Sequence, residues 1–154
     1  QEKASKNYLK TKMKIARIHA KIKNYRKHYL NDIANEIVNE HDIIVTESLK
    51  VADMFKDKKK VFNKSLSDAS LSKLCSLIEW KSKIKGKYYY KINTYYPSSQ
   101  ICSHCGYKNS EIKDLSIREY DCPECEVHND RDINASLNIL FEGLKLHYNL
   151  QSLI

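Results

Sequence analysis

Four of the five cysteines stand in two tight pairs, Cys102-Ser-His-Cys105 and Cys122-Pro-Glu-Cys125, with sixteen residues between the pairs. A Cys-x2-Cys, x16, Cys-x2-Cys array reads as a structural zinc site, because two tight turns can aim four thiolates at one tetrahedral cation. Gly106, directly after the first pair, supplies the backbone freedom such a turn wants. The competing readings are two disulfides or two redox motifs. No charged-then-apolar secretory leader opens the chain, so the expected compartment is the cytoplasm, where thiols stay reduced. His104 and His128 lie close by, but four sulfurs already close the site, and both read as bystanders. Cys75 stands alone in an apolar helical pattern and reads as a buried, inert thiol.

Two carboxylates stand out by position. Glu47 ends the β-branched run Ile43-Ile44-Val45-Thr46, and in open α/β folds ligands collect beyond the carboxyl ends of strands. Asp132 lies in the first turn of a final helix that opens Asn129-Asp130-Arg131-Asp132. Each also has an ordinary explanation. Glu47 could be the polar residue where a strand meets solvent, and Asp132 could serve the helix dipole. Asp130 or Asn129 can cap that helix, however, which leaves Asp132 without an obvious structural duty.

The elements that must position these residues follow from periodicity. Residues 5–40 predict one long helix, with Ile15, Ile18, Ile22, Tyr25, Tyr29, Ile33 and Ile37 at spacings of three and four. Leu9, Met13, Ala16 and Ala20 form a second apolar line in its first half, and lysines and arginines crowd the rest. Ile43–Thr46 predicts a buried strand. Residues 53–64 carry five lysines and predict a basic loop. Ser67-Asp68 can cap a helix running to about Lys85, with Leu71, Leu74, Ile78 and Trp80 available to the core and Gly86 ending it. Tyr88–Ile92 predicts a second strand, and strand, helix, strand gives one parallel β-α-β unit. In the last helix Ile133, Leu137, Leu140, Leu144 and Tyr148 keep one face. The expected division is 1–95, then a zinc ribbon inserted at 96–128, then the helix at 129–154.

Charge narrows the partners. Lys and Arg number 27 against 19 Asp and Glu among 154 residues, a formal net charge of +8. That excess favours a polyanion, nucleic acid or anionic membrane, and no apolar run is long enough to span a bilayer. Two strands do not make a sheet that buries both faces, so the predicted sheet is incomplete.

Three segments now resemble one family. Ile43-Ile44-Val45-Thr46-Glu47-Ser48-Leu49 resembles the strand that carries the second acidic residue of the OrfB/TnpB proteins of bacterial insertion sequences. Tyr96-Pro97-Ser98-Ser99-Gln100-Ile101-Cys102-Ser103-His104-Cys105-Gly106 resembles that family's entry into its zinc ribbon. Cys122-Pro-Glu-Cys125 followed by Asp130-Arg131-Asp132-Ile133-Asn134-Ala135 resembles its exit into the last acidic motif. The likeness runs from about Ser5 to Leu140, with the motifs in order.

The resemblance implies an α/β fold: a partial RNase H-like (RuvC-like) domain with an inserted four-cysteine zinc ribbon. It implies a transposase-associated, RNA-guided DNA endonuclease whose partners are DNA and a guide RNA. By that likeness Glu47 and Asp132 are catalytic, magnesium-binding acids, and Cys102, Cys105, Cys122 and Cys125 hold structural zinc. Phosphodiester hydrolysis with two Mg²⁺ ions does need several carboxylates converging on the cations. One departure stands against the matches. The family's first catalytic Asp sits on an opening strand in a glycine-flanked context, and Gly86, Gly106 and Gly143 have no Asp two residues away. The chain is therefore expected to be the carboxy-terminal portion of such an enzyme, inactive alone. The alternatives are a nuclease-inactive nucleic-acid-binding module and a remnant of a decayed insertion sequence.

Overall fold

In the computed structural model, which describes residues 5–48 and 70–148, the first helix starts where the sequence supplies a cap. The Ser5 hydroxyl accepts from the Tyr8 N–H at 3.2 Å and opens α1 (Lys6–Glu40), which ends at the extended His41. Strand β1 (Ile43–Glu47) follows at once, the next described helix is α2 (Leu71–Ile84), and β2 (Tyr88–Ile92) pairs parallel to β1. The register sets Ile44 beside Tyr89, Val45 beside Tyr90 and Glu47 beside Ile92. Gly86, at φ +66°, closes α2 as expected, and the Lys87 N–H turns back to Ser82 O at 2.8 Å. An antiparallel pair, β3 (Glu119–Asp121) with β4 (His128–Asp130), leads into α3 (Arg131–His147).

Strand side chains alternate between faces, so the β1–β2 sheet can be read as a middle layer. Ile44 packs on one face with Ala34 and Val38 of α1 and Ile78 of α2, and its register partner Tyr89 joins that cluster. Lys81 donates to Asn35 and Lys85 to Asn39, a shared offset of 46 residues that makes α1 and α2 run in the same direction. On the other face Val45 meets α3 at Gly143. A Cβ added there would sit 2.9 Å from Val45 Cβ and closer still to its methyls, so only glycine lets helix and strand approach this far. Tyr88 and Tyr90, the register partners of Ile43 and Val45, meet His147 of α3 edge-on at 4.5 and 5.6 Å.

The faces differ from expectation in three places. On α1 the buried residues are Leu30, Ala34 and Val38, while Ile15, Ile18, Ile22, Tyr25 and Tyr29 are exposed. The last turns of the helix cross the described sheet and α2, and the rest of the stripe stays exposed among the described residues. On α2 Ile78 is buried and Leu74 half-buried, but Leu71 and Trp80 are exposed. On α3 the buried residues are Arg131, Asn134, Asn138 and Gly143, and Ile133, Leu137, Leu140 and Tyr148 face outward. The β1 strand is half-buried except at Ile44, because two strands cannot cover each other's outer edges. The basic loop at 53–64 and the Ser67-Asp68 cap lie outside the described residues. Among the described residues no helix is long and apolar enough to cross a membrane.

Candidate functional site

Both cysteine pairs are built on one backbone pattern. In the first, the Cys102 N–H donates to Tyr107 O and the Gly106 N–H returns to Cys102 O, each at 2.8 Å. In the second, the Cys122 N–H donates to Val127 O at 3.0 Å and the Glu126 N–H to Cys122 O at 2.8 Å. The fifth position of each turn is left-handed: Gly106 at φ +79° and Glu126 at φ +59°. Glycine at the first was legible in the sequence. Glutamate at the second was not, since it carries a conformational cost that residue type alone does not advertise.

These turns bring four sulfurs together. The Sγ atoms of Cys102, Cys105, Cys122 and Cys125 all lie within 4.8 Å of one another and could hold a metal ion. Cys102 and Cys125 are 3.7 Å apart and Cys105 and Cys122 3.6 Å, well beyond the ~2.05 Å of a disulfide. All four are free thiols, which removes the disulfide alternative. Their acidities pull apart. At Cys122 burial disfavours the thiolate, but backbone N–H groups of Cys125 and Glu124 and the neighbouring thiols outweigh it and bring the pKa down to about 7. At Cys105 the Tyr107 backbone N–H favours the thiolate, yet burial and the three other thiols together push it up to about 12. One negative sulfur thus opposes the next, and a cation among them relieves the conflict. His104 and His128 stay outside this cluster. The His128 ring instead pairs with Asp121 at 2.8 Å and Glu119 at 3.8 Å across the β3–β4 ribbon. Cys75 is half-buried and takes no part.

The two carboxylates lie toward the same end of the sheet. Glu47 shares its parity with Val45 and so belongs to the α3 face. Its Oε1 accepts from the Ser98 hydroxyl at 2.9 Å, and Ser98 O accepts from Asn138 Nδ2 of α3, also at 2.9 Å. At the opposite end of the same helix His147 lies on Tyr88, where the strands begin. Helix α3 therefore runs antiparallel to the strands, and its first turn, with Asp132, lies at the end where Glu47 sits. Asp130 caps that turn, accepting from the N–H groups of Asp132 and Ile133 at 2.9 Å each. This leaves the Asp132 carboxylate in solvent, 82% exposed and 3.8 Å from the Arg118 guanidinium.

Three residues that hold this arrangement were missed in the sequence. Asn134 accepts from the Ser103 N–H at 2.8 Å and donates to Ile101 O at 2.7 Å. Asn138 donates to Ser98 O and to Ile101 O, and Ser98 reaches Glu47. Two asparagines four apart are poor helix formers facing one way, and that spacing was the available signal. Arg131 adds a further tie, its guanidinium donating to Asp114 O at 2.8 Å and Ile117 O at 3.3 Å. Away from these residues, a basic cavity of about 510 Å³ lies between α1 and the start of α2, lined by His19, Lys23, Arg26, Lys27 and Lys73.

Similarity to known proteins covers both ends of the chain. The family described as "Probable transposase" matches residues 1–58, and the one described as "Cas12f1-like, TNB domain" matches residues 72–139. A Streptomyces pristinaespiralis protein named "Putative RNA-guided DNA endonuclease" is 35% identical over 142 residues, covering 92% of this chain and 34% of that protein. An Escherichia coli protein of the same description is 30% identical over 154 residues, covering 92% of this chain and 38% of that one. A "TnpB-like protein" of Acanthamoeba polyphaga mimivirus is 28% identical over 149 residues. The chain thus spans about a third of the length of these relatives. Its fold is similar to that of a Cas12f1 chain solved in complex with sgRNA and target DNA, with a TM-score of 0.62 and 26% identity over 84% of this chain and 37% of that one.

Proposed function

We propose, on the premise that the chain belongs to the OrfB/TnpB family of transposon-encoded proteins, that it is the carboxy-terminal portion of an RNA-guided DNA endonuclease. The observation that carries this reading is the antiparallel course of α3, which brings the turn bearing Asp132 to the end of the sheet where Glu47 stands. Residues 1–95 and 129–154 then form a partial RuvC-like, RNase H-like domain, and 96–128 form the zinc ribbon between them.

The donor sets fit the metals this reading requires. A tetrahedral Zn²⁺ with Zn–S bonds of ~2.3 Å sets its sulfurs about 3.8 Å apart. The separations of 3.7 Å and 3.6 Å come close to that edge. Glu47 and Asp132 are hard oxygen ligands on separate elements, as suits Mg²⁺, which keeps most of its waters. Magnesium would supply an activated water and charge neutralisation at the scissile phosphate. The protein's part is to hold acids in place: among the described residues Glu47 is tied through Oε1 to Ser98, with Oε2 left for a cation. Asp132 can exchange the loose Arg118 contact for a cation. The exposed lysines and arginines of α1 and the cavity beside them favour nucleic-acid phosphates, with an affinity that falls steeply as salt rises.

The test is cleavage by the complete protein, with the upstream segment and guide RNA supplied. Mg²⁺-dependent cutting should appear, and Glu47→Ala or Asp132→Ala should each abolish it. The isolated 154-residue chain should bind DNA or RNA but not cut. Cutting by the isolated chain that Asp132→Ala leaves intact overturns the site. Salt-sensitive binding by a complete protein that never cuts favours the nuclease-inactive alternative.

A further inference from the structure

We propose that Ser98 is a positioning residue for Glu47, fixing the direction of its carboxylate, and that Asn138 fixes Ser98. The inference rests on Glu47 being a metal ligand and goes beyond it by naming what aims that ligand. Ser98 is 7% exposed and held at three atoms. Its N–H donates to Tyr96 O at 2.8 Å, its carbonyl accepts from Asn138 Nδ2, and its hydroxyl donates to Glu47 Oε1. A carboxylate has no proton to give, so the direction of that last bond is fixed. A carboxylate at a strand end would otherwise rotate freely about its last bond. With Oε1 tied to a buried hydroxyl, Oε2 points one way.

The backbone on either side is tied as well. The Ser48 N–H donates to Ile92 O at 3.2 Å, and the Thr94 hydroxyl donates to Ser48 O at 2.5 Å. Asn138, 4% exposed, and Asn134, 2% exposed, grip the segment on the ribbon side. Their partners run from Ser98 through Ile101 to Ser103, next to the ligand Cys102. The thiol cluster and the Glu47 carboxylate are therefore two ends of one hydrogen-bonded unit, with Ser98 as its terminal contact. Outer groups of this kind typically change metal affinity about 10- to 100-fold when removed.

Mn²⁺ is the probe, titrated into the zinc-loaded chain with free Mn²⁺ followed by electron paramagnetic resonance. Glu47→Ala should remove most of the binding. Ser98→Ala should weaken it about 10-fold, while Ser98→Thr, which keeps the hydroxyl, should stay within about twofold of wild type. Zinc content and melting midpoint, measured alongside, separate aim from unfolding. One measurement needs no variant: the wild-type Ser98 hydroxyl proton should be protected from exchange and show a nuclear Overhauser contact to the Glu47 side chain. Ser98→Ala equal to wild type while Glu47→Ala is weak overturns the positioning role, as does a freely exchanging Ser98 hydroxyl. If Glu47→Ala itself binds Mn²⁺ like wild type, the ligand assignment of Glu47 fails first and takes the positioning role with it.

Discussion

The chain is held together in two different ways on either side of Tyr96. Before it, Ala34, Val38, Ile44 and Ile78 pack into one apolar cluster, with Ile37, Leu74, Leu77 and Tyr89 against it. After it, the buried set among the described residues includes Cys102, Cys122, Asn129, Arg131, Asn134 and Asn138, with Ile112 and Tyr120 as its larger apolar or aromatic members. The first kind of cohesion is graded and non-directional: each buried methylene adds roughly 0.8 kcal/mol. The second is directional and close to all-or-none, because thiols that oppose one another when ionised become a fastener once a cation joins them. The two halves should therefore fail differently.

Removing the fastener should give the largest effect. Cys102→Ser should drop bound zinc from about one per chain toward none, and hydrogen exchange should show 96–130 opening while α1 and α2 stay protected. The metal-binding energy at risk is on the order of 10 kcal/mol. Survival of the ribbon without metal would erase the contrast between the halves. A smaller effect is expected where they share a helix. Gly143→Ala forces a Cβ onto Val45 and should destabilise the sheet half by about 1–3 kcal/mol, read as a lower melting midpoint. Adding Val45→Ala to that variant should recover part of the loss, since it removes the two methyl clashes but keeps the 2.9 Å approach of the two Cβ atoms.

Much of this is legible in the amino-acid sequence, and the exceptions have one cause. The spacing of the cysteines led to the four-sulfur cluster, and the β-branched run at Ile43 and the tyrosines at 88–90 gave the two paired strands. Asp130 marked a helix start, and its carboxylate accepts from the Asp132 and Ile133 N–H groups there. What periodicity could not supply was the identity of the covering surface. An apolar stripe says which face of a helix prefers burial, not whether anything reaches it, hence the exposed Ile15 and Ile18. On α3 the polar face won, because Asn134 and Asn138 find backbone partners 31 to 40 residues away. Glu47 and Asp132 were visible as acids at suggestive positions; Ser98, the residue that touches one of them, was visible only as part of a motif.

Two finer tests sharpen the contrast further. The Asp121 carboxylate, hydrogen-bonded to the His128 ring, raises that imidazole above the usual histidine range, with Glu119 adding to it. A raised folded pKa means the stabilisation is fully present below about pH 6.5, the ordinary histidine value, and is lost as pH rises through the folded one. The β3–β4 pairing should thus loosen slightly in that window, and a proton NMR titration of His128 should shift downward in Asp121→Asn. The smallest effect belongs to the far end of the sheet half. Ile15→Ser should change the melting midpoint of the isolated chain by an amount equivalent to less than about 0.5 kcal/mol, since nothing in the described structure covers that side chain.

That insensitivity has a mechanical counterpart. From Lys6 to Tyr25 every residue of α1 is exposed, a rod of about 30 Å at 1.5 Å per residue. Among the described residues the rod is clamped over its last turns, by Leu30, Ala34 and Val38 and by the Asn35 and Asn39 contacts to α2. It is a cantilever, and a load borne near its tip acts through a long arm on a short mount. Two residues, His41 and Asp42, separate that mount from the strand that ends in Glu47. A polyanion gripping the basic tip would deliver its torque to the root of the strand that carries the acid.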